Sequence, residues 1–254
     1  MRLFTSFVQH GVIWRHLGWR DLQIRYASTR IGPWWSVANL AATVIGSSFA
    51  VSLLAGTTTL SAGPRLAIGL TLWTLISASL SEATTLYEDS KSFLLNTVLD
   101  EGVAALRLVW RNWLVALHNF IVVILIFLVV ERESLLQSLL ILPIAIVVAV
   151  ALIAPVMLVA RVVYWKADFR AIIPPFIQFL FFLTPILWTI PDSGPGRLLL
   201  EINPAAWVMH FAQSVILVGE PEWGYLVRLT VLAAFGIGIA EMLLNSRKSV
   251  KKLL

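Results

Sequence analysis

The chain of 254 residues contains no cysteine, and only 13% of its residues are charged. Without cysteine it can form no disulfide, no thiolate metal site and no cysteine nucleophile. An average soluble domain is roughly 25% charged, whereas this chain is 59% hydrophobic. One globular core cannot hide so much apolar surface, so the composition predicts a membrane protein.

Several motifs of enzymes and nucleotide-binding proteins are also missing. The sequence has no G-x-x-x-x-G-K-[ST] phosphate loop, no H-E-x-x-H pair and no serine nucleophile elbow. Its four histidines, at positions 10, 16, 118 and 210, lack the spacing of a metal site. Gly and Arg interrupt the N-terminal segment before a long apolar core forms, so we expect no cleavable signal peptide. We expect neither an enzyme nor a metal or cofactor site on this chain.

Long apolar segments predict the fold class. A transmembrane helix needs about 20 mostly apolar residues, and we predict an all-α integral membrane protein with six such helices. The predicted spans are about 34–54, 66–86, 113–130, 138–160, 171–191 and 223–244. Between spans five and six, residues 203–219 are apolar but too short to cross, which predicts re-entrant helices, with Asn203 as a cap and Pro204 in the first turn. Residues 1–33 are predicted to form an N-terminal amphipathic interface helix and connector, and residues 34–254 the six-span domain.

Basic residues give an independent prediction of topology, because cytoplasmic loops collect Lys and Arg. Six spans with both termini inside place 15 of the 19 basic residues on the cytoplasmic side. The four that remain outside are Arg65, Arg132, Arg197 and Arg228. A seventh span at 205–219 would carry the basic C-terminal tail to the opposite side, so the distribution of charge favours six spans.

Three ionisable residues lie within or near the predicted spans, where such groups are candidate functional residues. For His118 the alternative is a neutral side chain bonded to a neighbouring helix. For Glu82 and Glu241, which lie near the predicted cytoplasmic surface, the alternative is a solvated or paired carboxylate. So few charges fall inside the spans that a proton-coupled transporter is the weaker hypothesis.

Residues 20–36, RDLQIRYASTRIGPWWS, concentrate charge and tryptophan just before the first span. Ile13, Leu17 and Ile24 fall near one helical face, which is typical of an amphipathic helix on the cytoplasmic membrane surface. Arg20 projects close to that face and must snorkel or find a partner. The Gly-Pro break ends the helix, and the two tryptophans anchor the interface. Anchoring explains this composition but not the order of the residues.

That order resembles the R-D-x-x-x-R-Y-x-x-(T/S)-x-x-G-P-x-W signature of ABC-2 type permeases. The residues that carry the resemblance are Arg20-Asp21, Arg25-Tyr26, Thr29 and Gly32-Pro33-Trp34-Trp35. A second block is similar to the family near the other end of the chain: Tyr164, Asp168-Phe169-Arg170, Pro175-Phe176, residues 180–186 (LFFLTPI) and Asn203-Pro204. The loop after span two departs from the family pattern, and Ala167 replaces a more usual arginine.

The resemblance implies a permease subunit of an ABC exporter, within the branch that exports polysaccharides such as O-antigen, capsule and teichoic acid. Such a subunit works in the bacterial cytoplasmic (inner) membrane as a homodimer with two copies of a separate ATPase, which binds ATP and Mg. Its other partners are membrane lipids and a glycan, which some members carry on a lipid, and no nucleic acid is implied. Candidate residues for coupling to the ATPase are Arg15, Arg20, Asp21, Arg25, Glu88, Asp89, Lys91, Asp100 and Glu101. Ala42, Gly46 and Ala50 form a small-xxx-small ridge on span one that permits close helix approach.

The sequence also carries 11 Trp, 13 Phe and 4 Tyr. Aromatic rings stack on the C–H faces of sugars, and Trp and Tyr add a polar tip, so a glycan pathway should contain them. The candidate pathway residues are Trp35, Trp73, Phe176, Phe181 and Trp188, with span five the densest in aromatics. The alternative for such residues is a lipid-facing or interfacial position.

Two further functions stay open at this point. The first is an ABC-2 permease for a lipid, haem or drug. The second is a membrane enzyme or an assembly scaffold, although the sequence offers no convincing pair of carboxylates or nucleophile near the membrane surface. The glycan itself, and whether a lipid carrier travels with it, are not encoded in any motif.

Overall fold

The computed structural model describes residues 2–56, 62–96, 101–189 and 194–245. Over these residues the chain is helical and contains no β-strand, which confirms the all-α prediction. The α-helices are α1 (Arg2–Val8), α2 (Gly11–Tyr26), α3 (Trp34–Ala55), α4 (Gly63–Glu82), α5 (Leu86–Asp89), α6 (Lys91–Asn96), α7 (Glu101–Val130), α8 (Leu135–Ser138), α9 (Ile141–Trp165), α10 (Phe169–Phe182), α11 (Pro195–Ile202), α12 (Pro204–Gln213) and α13 (Trp223–Asn245). Turns of 3-10 helix follow α4 and precede α8, and a π turn, Ser214–Val218, follows α12.

Helical segments long and apolar enough to cross a membrane mark this chain as a membrane protein. Five are found among the described residues: Trp34–Leu54, Gly63–Asp89, Glu101–Val130, Arg132–Trp165 and Trp223–Met242. The predicted fifth span, 171–191, coincides with α10, which has only 14 residues. The apolar segment formed by α12 and its π turn is also short. Six spans and re-entrant helices therefore stay predictions.

Helix ends follow the local chemistry of the sequence. Gly32 and Gly56 both have positive φ, of 56° and 62°, and they bracket α3, whose N-cap is Pro33. Glycine adopts this left-handed conformation without a Cβ clash, so Gly32 can precede the N-cap of α3 and Gly56 can end the helix. The predicted cap of α12 is confirmed, because the Asn203 side chain accepts a hydrogen bond of 3.0 Å from the backbone N–H of Ala205.

Helix α4 lies at the centre of the molecule. It contacts α3, α7, α9, α10 and α12, and most of its side chains are buried. Helix α13 packs on α9 and α12 and also contacts α1. Around α4, the packing leaves separate cavities between α3 and α10 and between α10 and α13.

Helix α2 packs on α7 through a face that the apolar pattern did not identify. Its buried residues are Gly11, Trp14, Gly18 and Leu22, whereas Ile13 and Ile24 of the predicted apolar face are exposed. At Gly18 an added Cβ would lie 2.7 Å from Trp110 Cδ1 and 2.9 Å from the Arg107 backbone oxygen. Small residues let helix backbones approach this closely, so glycine supplies the contact surface here.

Candidate functional site

A cavity of about 550 Å³ lies between α3, α4, α7 and α10 and is partly open to the surface. Hydroxyl and amide side chains from all four helices line it. They are Ser36, Asn39 and Thr43 of α3, Thr74 and Ser77 of α4, Asn112 and Asn119 of α7, and Gln178 of α10. We call this the polar cavity. Polar side chains are expensive among apolar spans, so their concentration on one cavity is typical of a functional site.

Asn112 and Asn119 are the most buried polar residues of this lining, each only 3% exposed. They lie seven residues apart, two turns, on the same face of α7. The Asn112 Nδ2 donates to Glu82 at 2.9 Å and the Asn119 Nδ2 to Thr74 Oγ1 at 3.5 Å. Neither Oδ1 has a hydrogen-bond partner among the residues that the structure describes. A buried acceptor without a donor costs about 1–3 kcal/mol, so each of these oxygens favours a bound group that donates a hydrogen bond.

Two of the predicted pathway aromatics meet in the polar cavity. The rings of Trp73 and Phe181 have centroids 5.5 Å apart and planes tilted by 55°, and both line the cavity. Together with the amides they give the cavity flat apolar surfaces beside hydrogen-bonding groups.

The other three predicted pathway aromatics lie elsewhere. Trp35 is exposed in the first turn of α3, and Phe176 lines the second, apolar cavity. Trp188 lies beyond the end of α10, where its Nε1 donates to the Phe182 carbonyl at 3.1 Å. Helical spacing would put Trp188 near the face of Phe181, but α10 ends at Phe182, before Pro185, so Trp188 is not on that helix.

Five charged residues form an ion-pair network at the Arg25 end of the polar cavity: Asp21, Arg25, Glu82, Arg107 and Arg111. Arg107 donates two hydrogen bonds to the Asp21 carboxylate, at 2.5 and 2.6 Å. Arg111 bridges Asp21, at 3.5 Å, and Glu82, at 2.6 Å. Arg25 completes the network on Glu82 and also lines the cavity. Helix α2 is thus tied to α4 and α7 by charge-assisted bonds, which are stronger than neutral ones.

The two remaining arginines among the α2 coupling candidates face outward. Arg20 is exposed and has no ion pair with any residue in the described part of the chain. The Arg15 guanidinium lies 5.7 Å from the Trp14 ring centroid, and its Nε donates to the Gly11 carbonyl. These two side chains, unlike those of Asp21 and Arg25, keep their charge at the surface.

Glu101 occupies a different place from the one its sequence position predicted. It had been assigned to a cytoplasmic loop, but it is the first residue of α7 and is 2% exposed. Its carboxylate accepts hydrogen bonds from Arg161 at 3.0 Å and from the Tyr87 hydroxyl at 2.9 Å. The helix extends twelve residues before the predicted start of span three because its charges are paired inside the fold. Glu101 therefore holds helices together and does not present a charge at the surface.

The remaining coupling candidates cluster near the start of α10. Arg170 forms an ion pair with Glu88 at 2.5 Å, and the carboxylate raises the pKa of the guanidinium above its usual value. These two residues and Lys91 line a cavity of about 350 Å³. Asp89 accepts a hydrogen bond from Thr85 at 2.8 Å. Asp100 lies outside the described residues.

Residues of the second family-like block contact one another across the chain. Asn203 Nδ2 donates to Thr184 Oγ1 at 3.0 Å and to the Leu183 carbonyl at 3.3 Å. Both Thr184 and Asn203 are buried. The Thr-Pro and Asn-Pro elements, nearly twenty residues apart in sequence, therefore form one joint between the end of α10 and the start of α12.

The ionisable residues near the spans have intramolecular partners. Glu82 is paired as described, and Glu241 accepts hydrogen bonds from the backbone N–H groups of Leu3 and Phe4. His118 Nδ1 contacts the Leu114 carbonyl at 2.7 Å, within its own helix and not on a neighbouring one. Within the described ranges, no group of three or more His, Asp or Glu side chains is arranged to hold a metal ion.

The amides of the polar cavity were missed at the level of sequence. The available signal was the pair of asparagines spaced seven apart in the otherwise apolar α7, since that spacing puts both on one face. Gln178 and Thr74 carry no comparable signal, because their role depends on which helices become neighbours. Comparison with known proteins assigns no family: no family model matches this chain, and no curated protein matches it significantly.

Proposed function

We propose that this protein is the permease subunit of an ABC exporter that moves a polysaccharide or lipid-linked glycan across a bacterial cytoplasmic membrane. ATP hydrolysis takes place on a separate ATPase chain. The observation that carries the proposal is the polar cavity, which combines buried amides with the Trp73–Phe181 pair among membrane-spanning helices.

The chemistry of the polar cavity suits a sugar chain. Sugar hydroxyls donate hydrogen bonds, and the buried Oδ1 atoms of Asn112 and Asn119 are acceptors that no described residue donates to. The C–H faces of pyranose rings pack on aromatic surfaces such as those of Trp73 and Phe181. A purely apolar substrate would leave the amides unsatisfied, at a cost for each.

The positions of the signature residues support the same proposal. Asp21 and Arg25 belong to the ion-pair network, and Tyr26 lines the polar cavity. The second block supplies the Thr184–Asn203 joint. Both groups of signature residues therefore border the helices that form the cavity, α4, α7 and α10.

In the proposed topology the chain crosses the membrane six times, with both termini in the cytoplasm. Helix α10 is about 21 Å long at 1.5 Å per residue, short of the roughly 30 Å hydrocarbon core. The turn after it, through Pro185, completes the crossing. Helices α11 and α12 then enter and leave on the outer side, against protein, where short helices are tolerated at membrane depth.

The proposed assembly is a homodimer with two ATPase subunits. The Ala42–Gly46–Ala50 ridge is exposed, and an added Cβ at Gly46 would meet nothing within 4 Å. This ridge lies on α3, which supplies Ser36, Asn39 and Thr43 to the polar cavity, so a second copy packed there would lie next to the cavity. The ATPase contacts the surface charges of Arg15 and Arg20, and the ion-pair network transmits its movement to α4 and α7.

The function is tested by deleting the gene in its native host and measuring surface polysaccharide and resistance to small molecules. We expect surface glycan to disappear while resistance is unchanged. Loss of resistance with intact glycan would instead indicate a permease for a drug, lipid or haem.

The variant Gln178→Leu removes an exposed amide from the cavity lining and should restore export several-fold less well than the wild type. Gln137→Leu, the same change outside the polar cavity, is the matched control and should restore it fully.

Coupling is tested by co-expressing the chain with its ATPase and measuring the stoichiometry and ATPase activity of the purified complex. We expect two copies of each chain. Arg20→Glu reverses an exposed charge on α2, one without an ion pair in the described ranges, and should weaken the complex. Arg30→Glu reverses a second exposed arginine, beyond the end of that helix, and should not. A chain that never binds an ATPase would overturn the proposal.

A further inference from the structure

A second cavity of about 550 Å³ lies between α9, α10 and α13, beneath α11 and α12. Its walls are hydrocarbon apart from the Asn203 amide, which is already bonded to Thr184 and Ala205. Exposed aromatic and aliphatic side chains border its opening, among them Phe176 and Phe235. We call this the apolar cavity.

The apolar cavity is unfavourable for water, and leaving it empty also costs free energy. A buried water needs two to four polar partners, and the described lining residues supply only the Asn203 side chain, which is already bonded. An empty apolar void forfeits the dispersion contacts of the atoms around it, and the loss grows with volume. The cavity opens on the surface of membrane-spanning helices, where the surrounding fluid is itself hydrocarbon. An acyl chain is therefore the occupant that the lining favours.

Charged and aromatic side chains lie at one end of the apolar cavity. Arg228 pairs with Glu201, and its guanidinium carbon lies 5.2 Å from the Tyr225 ring centroid and 6.0 Å from that of Trp207. Arg197 also approaches Glu201, at 4.0 Å, with about half of its side chain exposed. Two guanidinium groups share the Glu201 carboxylate, and the neighbouring Glu222 is bonded to His210 at 2.8 Å. Each guanidinium has five N–H donors, so donors remain at this end for a phosphate group.

The position of this cluster matches a lipid headgroup. Trp and Tyr favour the depth of the membrane interface, and Arg228 immediately precedes Leu229 of the cavity lining. From Leu229 to Ile239 the lining descends ten residues along α13, about 15 Å, which is half the thickness of the hydrocarbon core. One acyl chain can therefore run along α13 while its phosphate lies near Arg197 and Arg228.

We infer that the apolar cavity is a binding site for one acyl chain of an anionic phospholipid, whose phosphate is held by Arg197 and Arg228. The site is separated from the polar cavity by α10 and α4. It holds a structural lipid between α9, α10 and α13, and it does not depend on what the polar cavity transports.

The test uses the full-length protein in nanodiscs that contain phosphatidylglycerol with a diazirine near the end of one acyl chain. After illumination, labelled peptides are mapped by mass spectrometry. We expect labels to concentrate on the facing segments 148–158 and 229–239. Ala233→Leu fills the cavity. Each buried methylene group of the acyl chain contributes to the binding free energy, and the leucine side chain displaces two or more of these groups. Labelling should therefore fall about tenfold. Ala234→Leu is the matched control on the next, exposed position of α13, and labelling should not change.

Two further measurements complete the test. Ala151→Leu fills the cavity from the α9 wall and should reproduce the loss if Ala233→Leu folds poorly. Arg197→Gln should remove the preference for phosphatidylglycerol over phosphatidylcholine in competition. Equal labelling of the Ala233 and Ala234 variants, or labels spread evenly over all lipid-facing helices, would overturn the site. Equal competition by both lipids against the wild type would overturn the headgroup assignment.

Discussion

The pair of Glu101 and Arg161 shows how one residue decides the local fold. Both side chains are at most 3% exposed. Removing one partner of a buried pair leaves an uncompensated charge and costs about 3–5 kcal/mol. Glu101→Gln is therefore expected to destabilise the contact between α7 and α9 by up to that amount, since glutamine can still accept from Tyr87 but loses the ionic bond to Arg161. Tryptophan fluorescence during heating in detergent measures the loss as a lower melting temperature.

Glu131→Gln provides the control at this scale. Glu131 is exposed and has no ion pair in the described part of the chain, so the same change there should leave the melting temperature almost unaltered. The double variant Glu101→Leu with Arg161→Met should recover part of the loss, because replacing both charges by apolar groups removes the cost of burying them. A single variant that melts like the wild type would contradict the structural role of the pair.

Gly18 allows helix α2 to pack closely on α7. Alanine stabilises an isolated helix relative to glycine by about 1 kcal/mol, yet here its Cβ would meet Trp110 and the α7 backbone at under 3 Å. Gly18→Ala should therefore push α2 away from α7, with an overpacking cost of about 1–3 kcal/mol. Hydrogen exchange of residues 11–26 should become faster. At Gly11 the Cβ would meet only Arg15, at 3.7 Å, so Gly11→Ala should leave exchange unchanged; faster exchange in both variants would point to α2 itself and not to its packing.

The topology of the whole molecule can be tested directly because the chain has no cysteine. Single exposed cysteines are introduced as Lys166→Cys, Leu198→Cys and Glu220→Cys, and spheroplasts are treated with an impermeant maleimide. Six spans with re-entrant helices predict that positions 198 and 220 react from outside and that position 166 reacts only after lysis. Position 133, as Glu133→Cys, should react from outside and serves as the reference.

Other labelling patterns would distinguish the alternatives. Reaction of positions 166 and 198 from the same side would mean that α10 does not cross, and the chain would then have five spans. Reaction of positions 198 and 220 from opposite sides would mean that α12 and its π turn cross the membrane. Either result would revise the proposed topology without affecting the polar cavity, whose walls are fixed by α3, α4, α7 and α10.

Sequence patterns predicted features that depend on neighbours along the chain. The cap at Asn203 follows from an asparagine before a proline, and the start of α3 follows from the Gly32-Pro33 break. The start of α7 was misplaced because charge was taken as a sign of a loop. Arg107, Arg111 and Glu101 are instead neutralised by partners up to 86 residues away, and no local pattern reports such a partner.

The candidate site was predicted only in part. Trp73 and Phe181 were identified by their residue type, but Trp35, Phe176 and Trp188 have the same type and lie outside the polar cavity. Asn112 and Asn119 line the polar cavity because of the face that α7 turns toward α3, α4 and α10. Which aromatic or amide lines a cavity depends on helix rotation, and an apolar helix in lipid has weak periodicity because most of its faces are apolar.

By itself the sequence determined that this protein is helical and resides in a membrane, because hydrophobic content and segment length act through local hydrogen bonding and transfer to lipid. It also determined several helix ends through glycine, proline and asparagine. The tertiary structure alone decided which charges are buried, which aromatics meet, and where the polar and apolar cavities lie. Those properties arise from contacts between helices that are far apart in the chain, and such contacts are set by close packing rather than by any local pattern.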